Sequence, residues 1–426
     1  MEFQLDETLE CALDGKPTTL PHHRQMTNPN ANESDGKRTN LSTGGLRIGL
    51  LGVEDPADVR SYSGTPFHLV HYLRATGNDV RILGPYPLRY RIPVRLHNRL
   101  RSLFTGKGVL WERHRLIADQ YPGIVRTYLE QSPDLDLLLA TSVFYVAGVR
   151  TRIPLVFWAD TTVSGVIGRY GRYQHLSKRT VRRSHQVEQA ALTVCNMAIF
   201  SNQWAADVAL NSYDLDPRKV RVINYGANLT QVPTKAELMR LLTLRSPDHI
   251  KLIILGVHWQ RKGVAKAIEV AGELRKRGLN IQLQIVGCRP PAGFPVPDYV
   301  SLHGKVLKDT QEGARQLERL LGESHLLILP TEAECAAVVL AESSAFGVPF
   351  ISTDVGGNAS LVRQGHNGIL LPLEADISTW ADEAMWILRD RGSYERFAWR
   401  AYDFFHQCLS WSNAVQRFEE AVRDLL

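Results

Sequence analysis

Short apolar runs alternate with longer amphipathic segments from about residue 46 to the end of the chain. Apolar runs of this length, bounded by turn residues, are typical of buried strands in a parallel sheet. They predict a first group of strands over residues 46–52, 79–83, 136–139, 154–159, 197–201 and 220–224, and a second group over 251–256, 281–287, 299–304, 325–329, 350–353 and 368–371. This rhythm favours two Rossmann-like units.

Helical periodicity fills much of the sequence between these runs. Apolar spacing predicts helices over 181–192, 202–211, 264–277, 336–346 and 411–426, and another through 318–321. Thr65 followed by Pro66 predicts a helix start with Thr65 as its N-cap.

The pattern divides the chain into five parts. Residues 1–44 are polar and lack a period, which predicts a disordered leader. Residues 45–232 form a first Rossmann-like domain, 233–248 a weakly patterned linker, and 249–408 a second Rossmann-like domain. The helix over 409–426 is expected to pack back on the first domain.

Composition narrows the class of protein only slightly. The 426 residues carry a net charge of +6, which is mildly basic. The five cysteines are scattered without a C-x-x-C pair, so neither a zinc site nor a disulfide framework is indicated. The N-terminus has no signal-peptide pattern, and the apolar run over 137–149 is too short to span a bilayer. We expect a cytoplasmic protein that can associate with a membrane.

Two glutamates stand on either side of a predicted strand-to-helix junction. Glu334 follows the strand that ends before Pro330, and Glu342 lies about two turns into the next helix. Ligands of open α/β sheets bind at this edge, where helix N-termini offer N–H groups to phosphate. Carboxylates in these places suit a ligand with hydroxyls at one end and a diphosphate in its middle.

Several short motifs occur in one order across the second half of the chain. They are an E-x7-E pair at Glu334 and Glu342, a turn at Gly347-Val348-Pro349, a T-D-x-G-G loop at 353–357, an N-G-x-L-x-P segment at 367–372, and Lys262-Gly263 at a helix start. Together they resemble the GT-B glycosyltransferases of the glycosyl transferase group 1 family (family four), over residues 46–426.

The resemblance implies an α/β GT-B fold, with two doubly wound parallel-sheet domains facing a central cleft. It implies a nucleotide-diphosphate sugar held mainly by the second domain and a hydroxyl acceptor held mainly by the first. It further implies retention of anomeric configuration, with no metal and no cofactor besides the co-substrate. Glu342 resembles the glutamate that binds the donor ribose, and Glu334 resembles the one that contacts the transferred sugar.

Arg261 and Lys262 are candidates to neutralise the departing diphosphate. Cations at a helix N-terminus are electrostatically disfavoured, so an anionic ligand explains this pair better than an ordinary helix start does. Where many relatives have a cation after glycine, this chain has Gly256-Val257, and Arg261 is a candidate to supply that charge.

The remaining candidates are loop residues on both domains. Where relatives read E-G-x-G, with backbone amides that approach phosphate, this chain has Glu334-Cys335-Ala336-Ala337, so Ala336 and Ala337 keep small side chains without the freedom of glycine. Val306 lies where the base would be held. Gly356 and Gly357 would let the backbone approach the donor or the facing domain, unless they form a plain turn. Gly64 and Thr65 resemble the first-domain loop that faces the donor. Asp160 stands near the position of a histidine in relatives, where it would bind sugar hydroxyls, take the acceptor proton, or serve as an N-cap.

Two basic clusters and one histidine allow several interpretations. The clusters are Arg89, Arg91, Arg95, Arg99, Arg101 and Lys107, and Arg169, Arg172, Lys178, Arg179, Arg182 and Arg183. Anionic lipid, a phosphorylated acceptor or a solvated surface would each fit, whereas no nucleic-acid motif accompanies them. His185 is expected to be a surface or packed histidine.

The resemblance therefore implies a retaining, metal-independent hexosyltransferase that acts on a glycan, lipid-linked or small-molecule acceptor. Two alternatives remain open, a nucleotide-sugar epimerase of the same fold and a non-catalytic nucleotide-sugar-binding protein.

Overall fold

The computed structural model describes residues 45–52, 61–84 and 86–426, without the side chains of residues 61, 62 and 172. The leader predicted over 1–44 lies outside the described residues. In this part of the chain the strands are β1 (Arg47–Leu51), β2 (Asp79–Ile82), β3 (Leu137–Ala140), β4 (Leu155–Ala159), β5 (Met197–Phe200), β6 (Val220–Val222), β7 (Ile250–Leu255), β8 (Ile281–Val286), β9 (Val300–Gly304), β10 (Leu326–Leu329), β11 (Phe350–Thr353) and β12 (Gly368–Leu371). Each predicted strand is present, with ends shifted by about two residues at most.

The helices surround the strands in chain order. They are α1 (Thr65–Ala75), α2 (Arg91–Thr105), α3 (Arg115–Ala118), α4 (Tyr121–Gln131), α5 (Val163–Val166), α6 (Lys178–Val194), α7 (Gln203–Ser212), α8 (Lys235–Leu244), α9 (Val264–Lys276), α10 (Gln311–Glu323), α11 (Val338–Ala345), α12 (Ile377–Leu388), α13 (Arg391–Phe404) and α14 (Trp411–Val422). None of the helices within the described ranges is long and apolar enough to cross a membrane.

The strands form two parallel six-stranded sheets, which confirms the predicted fold class. The first sheet, in the first domain, has the order β2-β1-β3-β4-β5-β6, and the second, in the second domain, has β12-β11-β10-β7-β8-β9. Strand order reverses between β1 and β3 in one sheet and between β7 and β10 in the other. Ligands of doubly wound sheets bind outside the carboxyl ends of the strands at such switch points.

Helix α14 closes the back of the first sheet. Its Trp411, Val415 and Phe418 are buried in the same cluster as Leu50 and Trp158 of the first domain. The rings of Trp158 and Phe418 stack with centroids 5.5 Å apart. The C-terminal segment therefore contributes to the core of the first domain.

The segment over 233–248 is more ordered than the predicted weakly patterned linker. It contains α8, whose Leu238 and Leu242 are buried in the core of the second domain. Thr234 and Glu237 form a reciprocal capping box at its start. The buried stripe of this helix is narrow, so its periodic signal in the sequence is weak.

Two predicted helix starts also need correction. The N-cap of α1 is Gly64, with φ +91°, and Thr65 is the first helical residue. The glycine turns the chain in the left-handed region, which Thr65 would enter only with strain. Helix α11 begins at Val338, so Glu342 lies about one turn into the helix, not two.

Candidate functional site

A cavity of about 760 Å³ lies between the carboxyl ends of the two sheets. The first domain lines it with Ser63, Thr65, Thr141 and Asp160, and the second domain with Arg261, Lys262, Lys305, Val306, Lys308, Glu334, Ala336, Ala337 and Glu342 among others. A volume of this size suits a ligand of drug or nucleotide dimensions. Arg261, Lys262, Glu334 and Glu342, which are candidates from the sequence, therefore all line this cavity from the second domain.

Glu334 is held by two cations at the switch point of the second sheet. Its Oε1 accepts from Lys262 Nζ at 2.6 Å, Arg261 Nη1 at 3.0 Å and Thr331 Oγ1 at 3.0 Å. Burial alone would raise the pKa of Glu334, but the charges of Lys262 and Arg261 outweigh it and hold that pKa below its ordinary value. The carboxylate is therefore ionised at neutral pH, and all three contacts fall on one of its oxygens.

A close backbone approach brings this cluster together. Lys262 follows β7 and Glu334 follows β10, which are neighbours in the sheet. Gly263, with φ +68°, lies so close to Pro330 that an added Cβ would stand 1.9 Å from the Pro330 carbonyl oxygen. The Glu332 amide donates to the Arg261 carbonyl at 2.8 Å, which fixes one loop on the other.

Arg261 also reaches the first domain. Its Nη1 donates to the Ala333 carbonyl at 2.7 Å, and its guanidinium lies 5.1 Å from the centre of the Tyr170 ring. Cys335 Sγ donates to Tyr170 Oη at 3.2 Å. Burial raises the pKa of Cys335 well above its ordinary value, which favours a packed neutral thiol over a nucleophile.

Glu342 is only 2% exposed and pairs with a lysine that sequence reasoning missed. Lys308 Nζ lies 2.6 Å from Glu342 Oε1 and 3.5 Å from the Asn228 carbonyl oxygen. Burial, with the nearby charge of Lys308, lowers the pKa of His68 on α1 to about 4. Lys308 therefore links the carboxylate of the second domain to the first domain.

Asn228 connects this pair to the first-domain loop. Its Nδ2 donates to the Ser63 carbonyl at 3.1 Å and to Thr65 Oγ1 at 3.0 Å, and its Oδ1 accepts from Trp411 Nε1 at 2.9 Å. Neither Lys308 nor Asn228 belongs to one of the motifs, although Lys308 lies two residues after Val306, which the resemblance placed near the base. Their role depends on contacts across the two domains.

Asp160 directly follows β4 and lies partly buried at the opposite wall of the cavity. Burial raises its pKa to about 6, and the charge of Glu334 adds to this effect. Asn202 donates both to the Asp160 carbonyl at 3.4 Å and to the Cys335 carbonyl at 2.8 Å, so the two domains meet beside it. The carboxyl therefore titrates near neutral pH while facing the same cavity as Glu334.

Three predicted glycines stand outside the cavity lining. Gly64 caps α1, as described above. An added Cβ at Gly356 would stand 1.7 Å from the Glu334 carbonyl oxygen, and one at Gly357 would stand 2.1 Å from the Cys335 carbonyl oxygen. Gly356 and Gly357 thus let the 353–357 loop pack against the loop that carries Glu334.

The other candidates divide between the cavity and the outer surface. Ala336, Ala337, Val306 and Thr65 line the cavity. His185 lies away from it and shares a hydrogen bond of 3.0 Å with Tyr213 Oη.

Comparisons with known proteins agree with this geometry. A family model described as "Glycosyl transferases group 1" matches residues 249–390, the part of the chain that carries Lys262, Glu334 and Glu342. A D-inositol 3-phosphate glycosyltransferase of Rhodococcus erythropolis is 24% identical over 362 residues, which is 82% of this chain and 78% of that protein. The matches to six other relatives of that name span 54–65% of the length of those proteins, which is less than two thirds in each case.

Solved structures share the fold at low identity. Sucrose-phosphate synthase from Thermosynechococcus elongatus superposes with a TM-score of 0.61 at 18% identity, covering 89% of this chain and 99% of that one. Anabaena Alr3699/HepE in complex with UDP-glucose gives a TM-score of 0.57 at 14% identity, covering 89% of this chain and 100% of that one.

The two facing Rossmann-like domains give this chain the GT-B fold that these solved structures share. Within this chain, residues 249–390 are similar to the group 1 glycosyltransferases, whose family model they match.

Proposed function

We propose that this protein transfers a hexosyl unit from a nucleotide-diphosphate sugar to a hydroxyl acceptor, with retention of anomeric configuration and without a metal. The observation that carries the proposal is the ion cluster of Glu334, Lys262 and Arg261, which shares a cavity with Glu342. Fixed cations stabilise a departing diphosphate, and a fixed carboxylate stabilises positive charge at the anomeric carbon.

Each group has a place in the reaction. Glu342 accepts hydrogen bonds from the donor ribose hydroxyls, and Lys262 with Arg261 receives the diphosphate. The bond from the anomeric carbon to the phosphate oxygen breaks as the bond to the acceptor oxygen forms on the same face. The acceptor proton passes to the leaving phosphate, so no protein nucleophile is required.

The comparisons support a choice of first substrates. The HepE structure contains UDP-glucose, and the Rhodococcus relative is named for an inositol phosphate acceptor. A uridine donor and a phosphorylated polyol are therefore the first pair to test, beside GDP- and ADP-sugars and lipid-linked or glycan acceptors.

The test begins with a thermal-shift screen of UDP-, GDP- and ADP-sugars, followed by incubation of the stabilising donor with and without acceptors. We expect a glycosylated product whose anomeric configuration, measured by NMR, matches that of the donor. A new sugar isomer formed without acceptor would instead indicate an epimerase. Tight donor binding with neither hydrolysis nor transfer would indicate a binding protein.

Glu342→Gln is expected to weaken donor binding by roughly tenfold or more, because hydrogen bonds to a charged group contribute about 1.5–3 kcal/mol. The loss should appear in KM more than in kcat, since the ribose is remote from the breaking bond. Isothermal titration with the donor and steady-state kinetics measure the two effects. The matched control is Glu269→Gln, an exposed glutamate on α9. Unchanged donor affinity in Glu342→Gln would remove Glu342 from the donor site.

Asp160 gives the reaction an expected pH dependence. As a carboxylate it would accept a hydrogen bond from a sugar or acceptor hydroxyl, and protonation near pH 6 would remove that ability. Activity should therefore fall as the pH drops below about 6. Asp160→Asn should be slower by roughly tenfold and flat over that range.

The Asp160 carboxyl also makes the free energy of unfolding depend on pH. The pKa of Asp160 is higher in the folded chain than in the unfolded chain, so the folded state binds more protons between about pH 4 and pH 6. Its contribution to the free energy of unfolding therefore falls as the pH rises through that window. Melting temperatures of Asp160→Asn, measured between pH 4 and pH 6, should lack the pH dependence that comes from this carboxyl. The control Asp207→Asn, which changes an exposed aspartate, should keep that pH dependence. An identical pH profile in wild type and Asp160→Asn would contradict the raised pKa.

A further inference from the structure

Helix α2 carries its apolar residues on the side that faces away from the protein. Ile92 is 79% exposed, Leu103 75% and Phe104 87%, whereas Val94 and Asn98 are buried. At 3.6 residues per turn, Ile92 and Leu103 point in nearly the same direction, roughly opposite to Val94 and Asn98. Amphipathic helices of globular proteins normally turn the apolar stripe inward. We define the outward stripe as Ile92, Leu96, Leu100, Leu103 and Phe104.

Cationic side chains border this outward stripe. Arg91 and Arg95 lie to one side, with guanidinium groups 5.3 Å and 5.5 Å from the centre of the Trp111 ring. Arg99 and Arg101 are exposed farther along the helix, and Lys107 follows it. Apolar side chains directed outward and flanked by arginine are typical of helices that lie in a membrane interface.

The fold brings the second basic cluster to the same region. The Gly108 amide donates to the His175 carbonyl at 3.0 Å, and the Ser177 amide donates to the Gly108 carbonyl at 3.3 Å, which ties the end of α2 to the start of α6. Burial and the charges of His97, Arg179 and Arg183 lower the pKa of His114, which lies among these residues. The clusters that are separate in sequence thus meet beside the outward stripe.

We infer that α2 docks the first domain on an anionic lipid bilayer, with the outward stripe inserted at the boundary of headgroups and acyl chains. The arginines then lie at headgroup level, where each basic residue near a negatively charged leaflet adds to the attraction. The helix is about 22 Å long at 1.5 Å per residue, so it lies along the surface and does not cross the bilayer. The inference concerns binding alone and does not depend on the proposed transfer reaction.

Other occupants fit this surface less well. A second copy of the chain would bring two arginine-rich surfaces face to face, which is repulsive. A nucleic acid would satisfy the arginines but would leave five outward apolar side chains against its phosphates. An anionic membrane offers negative headgroups to the arginines and acyl chains to the outward stripe.

The test is co-sedimentation of the full chain with vesicles of phosphatidylcholine alone or of phosphatidylcholine with phosphatidylglycerol. We expect binding to the anionic vesicles that weakens with salt, and little binding to the neutral ones. The triple variant Leu96→Ser, Leu103→Ser, Phe104→Ser should lose at least tenfold in vesicle affinity. Its three positions are exposed, so the fold should be kept. The matched control is Met239→Ser with Leu244→Ser, two exposed apolar residues on α8, which should bind as wild type does.

A second measurement reports insertion directly. Leu100→Trp places an indole in the outward stripe, and its fluorescence should shift to the blue when anionic vesicles are added. The inference would be overturned if the wild-type protein stayed in the supernatant or if the triple variant bound vesicles as tightly as wild type. It would also be overturned if the wild-type protein were a dimer and the triple variant a monomer. Binding to vesicles without any transfer activity would leave it intact while refuting the proposed function.

Discussion

Glu334→Gln is expected to reduce the rate of sugar transfer by about 10²–10³-fold, which is the usual effect of removing one electrostatic contact to a transition state. The amide keeps the shape of the side chain and can still accept from Lys262, but it loses the negative charge that, in the proposed reaction, faces the anomeric carbon. Steady-state transfer of the donor identified in the thermal-shift screen measures the effect. The loss should appear in kcat, because the charge at the anomeric carbon develops only in the transition state.

The control for this variant lies two residues away. Glu332 is on the same loop but is exposed, so Glu332→Gln should retain activity. Wild-type kcat in Glu334→Gln would exclude an electrostatic role for the carboxylate. A melting temperature equal to that of wild type, together with slow transfer, would show that the defect is chemical and not structural.

Lys262→Ala needs a stability measurement beside the kinetic one. We expect this variant to lose most of its transfer activity. In the structure Lys262 is also buried and provides the shortest contact to Glu334. Truncating one partner of a buried pair can cost about 3–5 kcal/mol, because it leaves the other charge poorly compensated. Combining Lys262→Met with Glu334→Gln should recover part of that stability without restoring transfer.

The sequence predicted the fold well because the strands are short apolar runs with clear ends. Lys262 and Glu334 could both be named as candidates from the sequence, since each follows a predicted strand and lies in a motif, and both line the cavity. The Arg261 to Tyr170 contact and the Lys308 to Glu342 pair were not predictable, because the partners come from distant segments without a local pattern.

Helix α2 shows a different limit of sequence reasoning. Periodicity identifies an apolar and a basic side of this segment, but it does not tell which side the protein covers. The structure settles this point through Val94 and Asn98, which are buried while Leu103 and Phe104 are exposed. In helix α8 the local signal is clearer than the periodic one. Thr234 and Glu237 are spaced as a capping box, which indicates a helix start, whereas the buried apolar stripe of the helix is narrow.

Gly356→Ala is expected to destabilise the folded protein by roughly 3 kcal/mol or more and to abolish transfer. The added methyl group would stand 1.7 Å from the Glu334 carbonyl oxygen, at a residue with φ +57°. Either the 353–357 loop or the Glu334 loop must therefore shift, and core overpacking alone typically costs about 1–3 kcal/mol. Urea denaturation without ligand measures the loss of stability, and transfer kinetics measure the displacement of Glu334.

The matched control separates crowding from backbone strain. Gly278 has φ +94°, but an added Cβ there meets nothing within 4 Å. Gly278→Ala should therefore cost only about 1–2 kcal/mol of left-handed strain and leave transfer intact. If Gly356 served only to let the backbone approach a bound donor, Gly356→Ala would be as stable as Gly278→Ala in the absence of ligand and would fail only in donor binding. A much lower urea midpoint for Gly356→Ala would instead show that this glycine acts by packing, holding the loop of Glu334 in its place before any donor arrives.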